Sequence, residues 1–394
     1  MIEFKNVDVV FGKQPERALP LIDSGATLQE IQEQTGLTAA VRDVCLKVGK
    51  GEICVLMGLS GSGKSSLLRT ANGLNPVTRG DVFLETEQGV QNFQELSEGE
   101  RRQVRMNRIT MVFQKFALMP WLTVAENVAF GLEQKGLDKR TVRSKAIEQL
   151  ELVGLAEWAD KKPHELSGGM QQRVGLARAF AMETDIILMD EPFSALDPLI
   201  RSELQDELLR LQQQLNKTVL FVSHDLDEAL KLGNHIAIMK DGVIVQHDTP
   251  ENIVMNPADD YVEAFVAHTN PINVVNAQAL MRPLDKLPEQ KDEICLSPRD
   301  DCWLHQGDSI SNSAIRYGEM NVSLQLWRDG DTDSVDKKHA LVVSLTTKME
   351  TVMTLRYQSG HGVLVEQDGQ LVGYVGDHEI YYAMLGKLIG DSSN

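Results

Sequence analysis

The 394-residue sequence has few cysteines and no long apolar run. Its four cysteines, Cys45, Cys54, Cys295 and Cys302, show no C-x-x-C spacing, which argues against a metal centre or a disulfide framework and favours reduced packing thiols. No stretch of about eighteen apolar residues, the length of a membrane-spanning helix, occurs. The residues after Met1 lack the apolar core of a signal peptide. We therefore expect a cytosolic chain, and a membrane pore would have to come from another chain.

Basic residues are also in deficit. The sequence has 39 Lys and Arg residues against 57 Asp and Glu residues, a formal net charge of −18. A nucleic-acid partner would require a basic face, so the composition argues against one. The stretch 271–394 is acidic as well and offers no polybasic patch for anionic lipid. Association with a membrane through protein contacts is compatible with this balance, and the length suffices for two domains.

The clearest positive signal is a glycine-rich run that fits the pattern G-x-x-x-x-G-K-[ST] at every position. It follows a predicted buried strand at 53–57 and precedes a helix predicted over Lys64–Leu74 and ended by Gly73. Glycines in such a turn let backbone N–H groups point at phosphates, and a helix N-terminus adds partial positive charge. Lys64 would reach β/γ oxygens, and the Ser65 hydroxyl would ligate Mg²⁺. The predicted phosphate-binding residues are Gly58, Ser60, Gly61, Ser62, Gly63, Lys64, Ser65 and Ser66.

A second run, Leu166-Ser167-Gly168-Gly169-Met170-Gln171-Gln172-Arg173, follows farther along the chain. It resembles the signature of ATP-binding cassette (ABC) ATPases. Ser167, Gly168 and Gly169 are predicted to open a helix through Ala181, whose unpaired N–H groups suit a γ-phosphate. The resemblance implies that they act on ATP held by a second copy of the chain. Two copies would then sandwich two nucleotides head to tail, closing on ATP and opening after hydrolysis.

Two carboxylates end the segment 185–191, whose residues 186–189 are apolar, and they resemble the Walker B acid and catalytic glutamate of this family. The resemblance implies that Asp190 holds Mg²⁺ through its water shell. Glu191 would act as the general base on the attacking water. Ser194-Ala195-Leu196-Asp197 resembles the family's D-loop, which makes Asp197 a further candidate at the nucleotide.

Two more residues are carried over by position. His224 follows the predicted strand 218–222 and resembles the family's H-switch, which contacts the γ-phosphate and orients the water. Gln114 follows Met111-Val112-Phe113 and resembles the Q-loop glutamine, which senses Mg²⁺ and the water. The remaining histidines are interpreted as ordinary core or surface residues.

The amino-terminal region shows an interruption between two predicted strands. Residues 2–10 alternate as an edge-type strand, residues 12–40 interrupt, and a strand resumes over 41–48. A capping box at Thr27 and a stop at Gly36 predict a helix over 28–35. An insertion of this kind resembles the quaternary-amine and osmolyte importers within the ABC family. Phe11, just before it, is the candidate for stacking on adenine, although a core position is an equal alternative.

A mostly helical stretch lies between Gln114 and the signature. Apolar spacing predicts a helix over Lys139–Val153, within a helical subdomain at about 115–180. In related transporters the segment that matches 116–122 receives the permease's coupling helix, with Met119 and Trp121 here as candidate anchors. The alternative is that these apolar residues simply pack the subdomain.

The chain changes character after about residue 268. Residues 270–273 and 282–284 are predicted as a linker, 362–377 as a hairpin with an Asp-Gly turn, and 377–388 as a helix. The hairpin and helix resemble one degenerate unit of the cystathionine-β-synthase (CBS) type regulatory modules found on osmolyte importers.

The expected fold class is therefore α/β. An ABC ATPase domain would occupy 1–268, with a RecA-like core, an antiparallel β subdomain and a helical subdomain. A small α+β regulatory domain would occupy 269–394.

The segments 113–123 and 295–298, with Trp303, look most similar to the ATP-binding subunit of bacterial choline importers; glycine betaine/proline importers are the near alternative. The resemblance implies an ATP hydrolase that uses ATP and Mg²⁺. Two copies would bind a membrane permease pair at the cytoplasmic face of the inner membrane. An extracytoplasmic binding protein would capture the quaternary amine.

Two other classes are disfavoured. Soluble ABC ATPases of DNA repair or ribosomes usually carry coiled-coil insertions or two cassettes, which this sequence lacks. A P-loop kinase or GTPase would leave 166–173, Asp197 and His224 without a role.

Overall fold

The computed structural model describes residues 1–86, 89–113, 117–194, 196–267, 274–328 and 335–384. The chain divides into two compact units, Met1–Val266 and Ala267–Asn394.

The first unit combines strands and helices in alternation. Its strands are β1 Ile2–Phe11, β2 Thr38–Val48, β3 Ile53–Met57, β4 Arg79–Thr86, β5 Gly89–Asn92, β6 Ile109–Val112, β7 Ile186–Asp190, β8 Thr218–Val222, β9 His235–Lys240 and β10 Val243–Asp248. Its helices are α1 Leu19–Asp23, α2 Leu28–Thr35, α3 Lys64–Leu68, α4 Glu98–Asn107, α5 Val124–Gln134, α6 Lys139–Leu152, α7 Gly168–Ala181, α8 Pro198–Leu215, α9 Leu226–Leu232, α10 Pro250–Met255 and α11 Asp260–Val266.

The central sheet of this unit has the strand order β10-β9-β3-β8-β7-β6. All of these strands run parallel except β10, which pairs antiparallel with β9. Strands β3, β7 and β8 are buried at every residue, as expected for continuous apolar runs covered on both faces. Their carboxyl ends therefore meet at one edge of the sheet, where the loops that follow can form a site.

A second sheet of the unit is antiparallel, with the order β2-β1-β4-β5. The prediction of β1 as an edge strand is wrong, because β1 lies between β2 and β4. Its apolar residues join a core cluster that also includes Cys54 of β3 and Leu188 of β7.

The insertion packs against the antiparallel sheet. The predicted helix over 28–35 is confirmed as α2, with the capping box between Thr27 and Glu30 formed. Ile31 is fully buried in a small apolar cluster of its own with residues of β1 and β2. The Arg79 guanidinium forms two ion pairs, one with Asp23 of the insertion at an N–O distance of 2.8 Å and one with the buried Asp8 at 2.6 Å. The insertion is thus fixed by both apolar and charged contacts.

The helical part of the unit consists of α5, α6 and α7, which share one apolar core. The predicted helix over Lys139–Val153 is confirmed as α6, which ends one residue earlier. The predicted helix that opens at the signature is confirmed as α7 and ends at Ala181.

The helix predicted over Lys64–Leu74 is too long. The α-helical part, α3, ends at Leu68. The chain then continues in turns whose N–H groups reach back only three residues, such as Thr70 to Leu67 and Gly73 to Thr70. Gly73 ends these turns with a positive φ of 70°.

The second unit contains one sheet with the order β11-β19-β18-β17-β16-β15-β14-β13-β12. Its strands are β11 Arg282–Pro283, β12 Glu289–Gln290, β13 Glu293–Ser297, β14 Cys302–His305, β15 Ala314–Tyr317, β16 Met320–Leu326, β17 His339–Ser344, β18 Val363–Gln367 and β19 Gln370–Val375. Its helices are α12 Ala277–Leu280, α13 Met349–Ser359 and α14 Asp377–Met384.

The predicted hairpin is confirmed as β18 and β19, with Asp368 and Gly369 both at positive φ in the turn. The predicted linker at 282–284 is wrong: Pro283 pairs with Gly373 at the sheet edge, and Leu284 is buried. The other linker segment, 270–273, and residues 385–388 of the predicted helix lie outside the described residues. The order β17-α13-β18-β19-α14 follows an antiparallel meander of β12 to β16.

Candidate nucleotide site

The glycine-rich loop connects the buried strand β3 to helix α3, and two of its glycines are required by close backbone approach. A Cβ on Gly58 would lie 2.1 Å from the Met239 carbonyl oxygen, and one on Gly63 would lie 2.1 Å from the Ala40 carbonyl oxygen. Gly61 has a φ of 85° but nothing within 4 Å of a Cβ position, so it faces open space. The loop is thus held against β2 and β9 while its middle stays free for a ligand.

Lys64 opens α3 with its side chain turned back along the loop. The residue is 6% exposed, and Nζ donates to the carbonyl oxygens of Gly58 at 2.8 Å and Leu59 at 2.9 Å. Burial lowers the pKa of Lys64, while the charges of Glu191 and Asp190 act in the opposite direction. An ammonium held mainly by neutral carbonyls beside an open cleft suits phosphate oxygens, which would supply the missing negative charge.

Asp190 ends β7 and is 1% exposed. The Ser65 hydroxyl donates to its Oδ1 at 2.7 Å, and Arg69 Nη2 donates to its Oδ2 at 2.9 Å. A serine hydroxyl beside a carboxylate offers the hard oxygen ligands that Mg²⁺ prefers. Ser65 and Asp190 therefore fit the magnesium ion that the phosphates of a nucleotide would bring.

Glu191 directs its side chain away from the strand through an unusual backbone conformation. Its φ is 48°, in the left-handed region, and its N–H donates to the Val222 carbonyl at 3.0 Å. Such a conformation in a non-glycine residue costs about 1–3 kcal/mol and tends to occur at functional sites. Nδ1 of His224 lies 3.4 Å from Glu191 Oε2. β7 and β8 thus bring the two predicted catalytic groups together.

These elements enclose a cleft of about 540 Å³, within the range of small-molecule sites. It is lined by Ala40, Ser60, Gly61, Gly63, Lys64, Ser65, Ser66, Glu191 and His224. All of these except Ala40 were predicted from the sequence. Ala40 reaches the cleft through its place on β2 and carries no motif that could have revealed it.

Other predicted residues lie away from this cleft. Ser167 caps α7 and accepts a hydrogen bond from the Met170 N–H, and Asp197 caps α8 in the same way from Ile200. Ser167 and Gly168 are exposed at the helix start, and Gly169 is partly exposed.

Phe11, another predicted residue, is also not part of the lining. Phe11 is 39% exposed and pairs with Thr38 on β2, two residues before Ala40. Gln114 lies outside the described residues.

Comparison with known proteins agrees with this geometry. Residues 41–194 match the family model described as ABC transporter. The glycine betaine/proline betaine transport system ATP-binding protein ProV of Escherichia coli (strain K12) is 50% identical over 281 residues, 71% of this chain and 69% of that protein. The trimethylamine N-oxide transport system ATP-binding protein TmoW of Ruegeria pomeroyi is 50% identical over 282 residues, 72% of this chain and 82% of that protein.

The fold is also similar to solved structures. A dimeric post-hydrolysis state of the ATP-binding cassette MJ0796, bound to ADP and Pi, has a TM-score of 0.54 and 32% sequence identity, covering 64% of this chain and 99% of that one. With the cleft and its motifs, these similarities define a P-loop ABC ATPase, an ATP-binding and ATP-hydrolysing protein. The chain belongs, more narrowly, to the ATP-binding subunits of the quaternary-amine and betaine importer family. Within the described residues, no helix is long and apolar enough to span a bilayer.

Proposed function

We propose that this subunit powers the import of glycine betaine or a closely related quaternary amine through a separate membrane permease. The observation that carries the proposal is the 50% identity with ProV, which is named for glycine betaine and proline betaine. A relative from Bacillus subtilis, OpuAA, 48% identical over 281 residues, is also named for glycine betaine. Choline, which the segments 113–123 and 295–298 favoured, is not confirmed and stays the second candidate.

Some residues of the cleft would bind the nucleotide and its metal, and others would take part in proton transfer. The loop N–H groups and Lys64 would hold the β- and γ-phosphates, with Ser65 and Asp190 on Mg²⁺. Bound Mg²⁺ would neutralise charge on the transferred phosphoryl group. Glu191 would accept a proton from the attacking water, and His224, 3.4 Å from it, would orient that water at the γ-phosphate. Gln114 is proposed as the sensor of Mg²⁺ and water.

A second copy would complete the site. The exposed start of α7, at Ser167, Gly168 and Gly169, leaves N–H groups able to meet the γ-phosphate held by the other copy. Asp197, at the start of α8, would lie at the same junction. Phe11 would stack on adenine, a position that its exposure allows. ATP would thus hold two copies together, and hydrolysis would release them.

The remaining partners follow from the surface. Trp121 is 70% exposed beside the helical part and is proposed to anchor the permease's coupling helix with Met119. The subunit is proposed to lie at the cytoplasmic face of the inner membrane, with an extracytoplasmic protein capturing the cargo. The second unit, with its β-α-β-β-α order, is proposed as a regulatory domain of the CBS type. Proposed domain limits are 1–268 and 269–394, with the insertion 12–40 and a helical subdomain at about 115–180.

Reconstitution tests the cargo. The subunit, its permease and its binding protein would be placed in liposomes, and ATP hydrolysis measured against rising glycine betaine, choline and proline, with a Glu191→Gln complex as the control for hydrolysis by this subunit. Stimulation by glycine betaine at the lowest concentration is expected. A stronger response to choline would reverse the order of the two candidates, and no response to any of them would reject a quaternary-amine importer.

A further inference from the structure

The two oxygens of the Asp190 carboxylate contact different partners. Oδ1 accepts from the Ser65 hydroxyl at 2.7 Å, and Oδ2 accepts from Arg69 Nη2 at 2.9 Å. Both partners come from one segment, because Ser65 lies in α3 and Arg69 directly follows its last residue. Residues four apart lie on the same face of a helical turn. One face of this short helical segment thus presents a hydroxyl and a cation side by side to the end of β7.

Arg69 supplies the positive charge at this carboxylate. Asp190 is 1% exposed, whereas the Arg69 side chain is 41% exposed. The other cation of the cleft, Lys64, donates instead to the carbonyls of Gly58 and Leu59. A buried carboxylate without a cation or a metal is strongly disfavoured. Arg69 compensates Asp190 by direct contact, whereas Lys64 acts on it through its charge without a hydrogen bond between them.

Arg69 itself is placed by this contact. Its Nε is buried without a hydrogen-bond partner among the described residues, while Nη2 bonds to Asp190. The Nη2 N–H of Arg69 donates to Oδ2 only, and Oδ1 accepts from the Ser65 hydroxyl. The Ser65 hydroxyl has one proton and two lone pairs, so it can keep donating to Oδ1 while a lone pair ligates a metal. Arg69 and Ser65 thus each hold one oxygen of the carboxylate, and neither contact has to break for Ser65 to ligate a metal.

We propose that Arg69 is a positioning residue, which compensates Asp190 in the nucleotide-free protein and holds the carboxylate for the metal. This inference rests on the proposed function of the cleft as an ATP and Mg²⁺ site. It predicts that the charge of Mg²⁺ replaces the charge of Arg69 when the arginine is removed. The nucleotide-free protein therefore depends on Arg69 more than the Mg²⁺-ATP complex does.

Thermal unfolding of the full chain tests this with Arg69→Met and Arg69→Lys, both on a Glu191→Gln background that prevents turnover. Each variant is measured without nucleotide, with ATP and EDTA, and with ATP and Mg²⁺. The control is Arg108→Met, which removes an Arg–Asp pair with Asp185 at the opposite end of β7. Arg69→Met is expected to lower the nucleotide-free midpoint by roughly 2–4 °C. Mg²⁺ should then recover more stability in Arg69→Met than in the parent protein, and Arg69→Lys should lose less.

The outcomes separate the two claims. A parent protein that neither ATP nor Mg²⁺-ATP stabilises would overturn the nucleotide site and the role of Arg69 together. A parent that Mg²⁺-ATP stabilises, with the same Mg²⁺ increment in Arg69→Met, Arg108→Met and the parent, would overturn only the role of Arg69. A larger Mg²⁺ increment confined to Arg69→Met would support it.

Discussion

Replacing Glu191 by glutamine removes a proton acceptor from the cleft and changes almost nothing else. Glutamine has the same size, the N–H to Val222 remains, and the left-handed φ of 48° costs the same in both residues. The amide can still face His224 Nδ1, which lies 3.4 Å from Oε2 in the parent. It cannot take a proton from water. A positioned general base is worth roughly 10² to 10⁴ in rate, or about 2.7–5.4 kcal/mol in the barrier.

Single-turnover hydrolysis and equilibrium ATP binding measure the two expectations separately. Glu191→Gln should lose roughly 10² to 10⁴ in the hydrolysis rate and keep its ATP affinity. Glu183→Gln is a matched control, because Glu183 also has a left-handed φ, 53°, but is exposed and pairs with Lys145 at 2.6 Å. It should hydrolyse ATP at the parent rate. Hydrolysis by Glu191→Gln within a factor of about ten of the parent would refute the role of Glu191 as base.

Three further outcomes are expected. Gly63→Ala should abolish ATP binding, because its Cβ would lie 2.1 Å from a backbone carbonyl oxygen. The Cβ of Gly61→Ala meets open space, so this variant should lose only about 1–2 kcal/mol of stability in thermal unfolding. Equal effects of the two substitutions would contradict the close approach at Gly63. Arg79→Met leaves the fully buried Asp8 without its cation and should cost about 2–3 kcal/mol in urea unfolding, and an unchanged midpoint would reject that contact. Trp121→Ser should leave hydrolysis by the isolated subunit intact and reduce its co-purification with the permease; normal co-purification would exclude Trp121 as an anchor.

Local signals predicted local structure well. The capping box at Thr27 fixes the start of α2, since both of its hydrogen bonds lie within one turn. The Asp368–Gly369 turn likewise sets the hairpin of β18 and β19. Signals that depend on distant partners failed. β1 alternates like an edge strand, but its second neighbour, β4, begins at Arg79, and the alternation carries no trace of that pairing.

The short strand β11 is a second case in which a distant partner was missed: here a strand was predicted as a linker. Proline suggested a linker at Arg282-Pro283, yet proline is tolerated at a sheet edge, where its missing N–H is not needed. Pro283 pairs there with Gly373, far along the sequence.

The site residues that belong to contiguous sequence motifs could be predicted. Glu191 and the loop that ends at Ser65 line one cleft, and Asp190 bonds to Ser65 beside it, because parallel strands bring them to one sheet edge. Ala40 and Arg69 were missed, since each reaches the site through packing and belongs to no motif. The roles of the residues that would face a second copy stay predictions.

The position of β3 in its sheet has a consequence for how the protein is made. β3 ends where the phosphate loop begins, and it pairs with β8 on one side and β9 on the other. During synthesis both neighbours emerge from the ribosome long after β3, so this apolar strand has no partner in its sheet until the chain has passed Val222, and its second partner is complete only at Lys240. The antiparallel pair β1 and β2 can form much earlier. A truncation before β9 would leave one edge of β3 unpaired beside the phosphate loop, and such an exposed apolar edge is prone to aggregation.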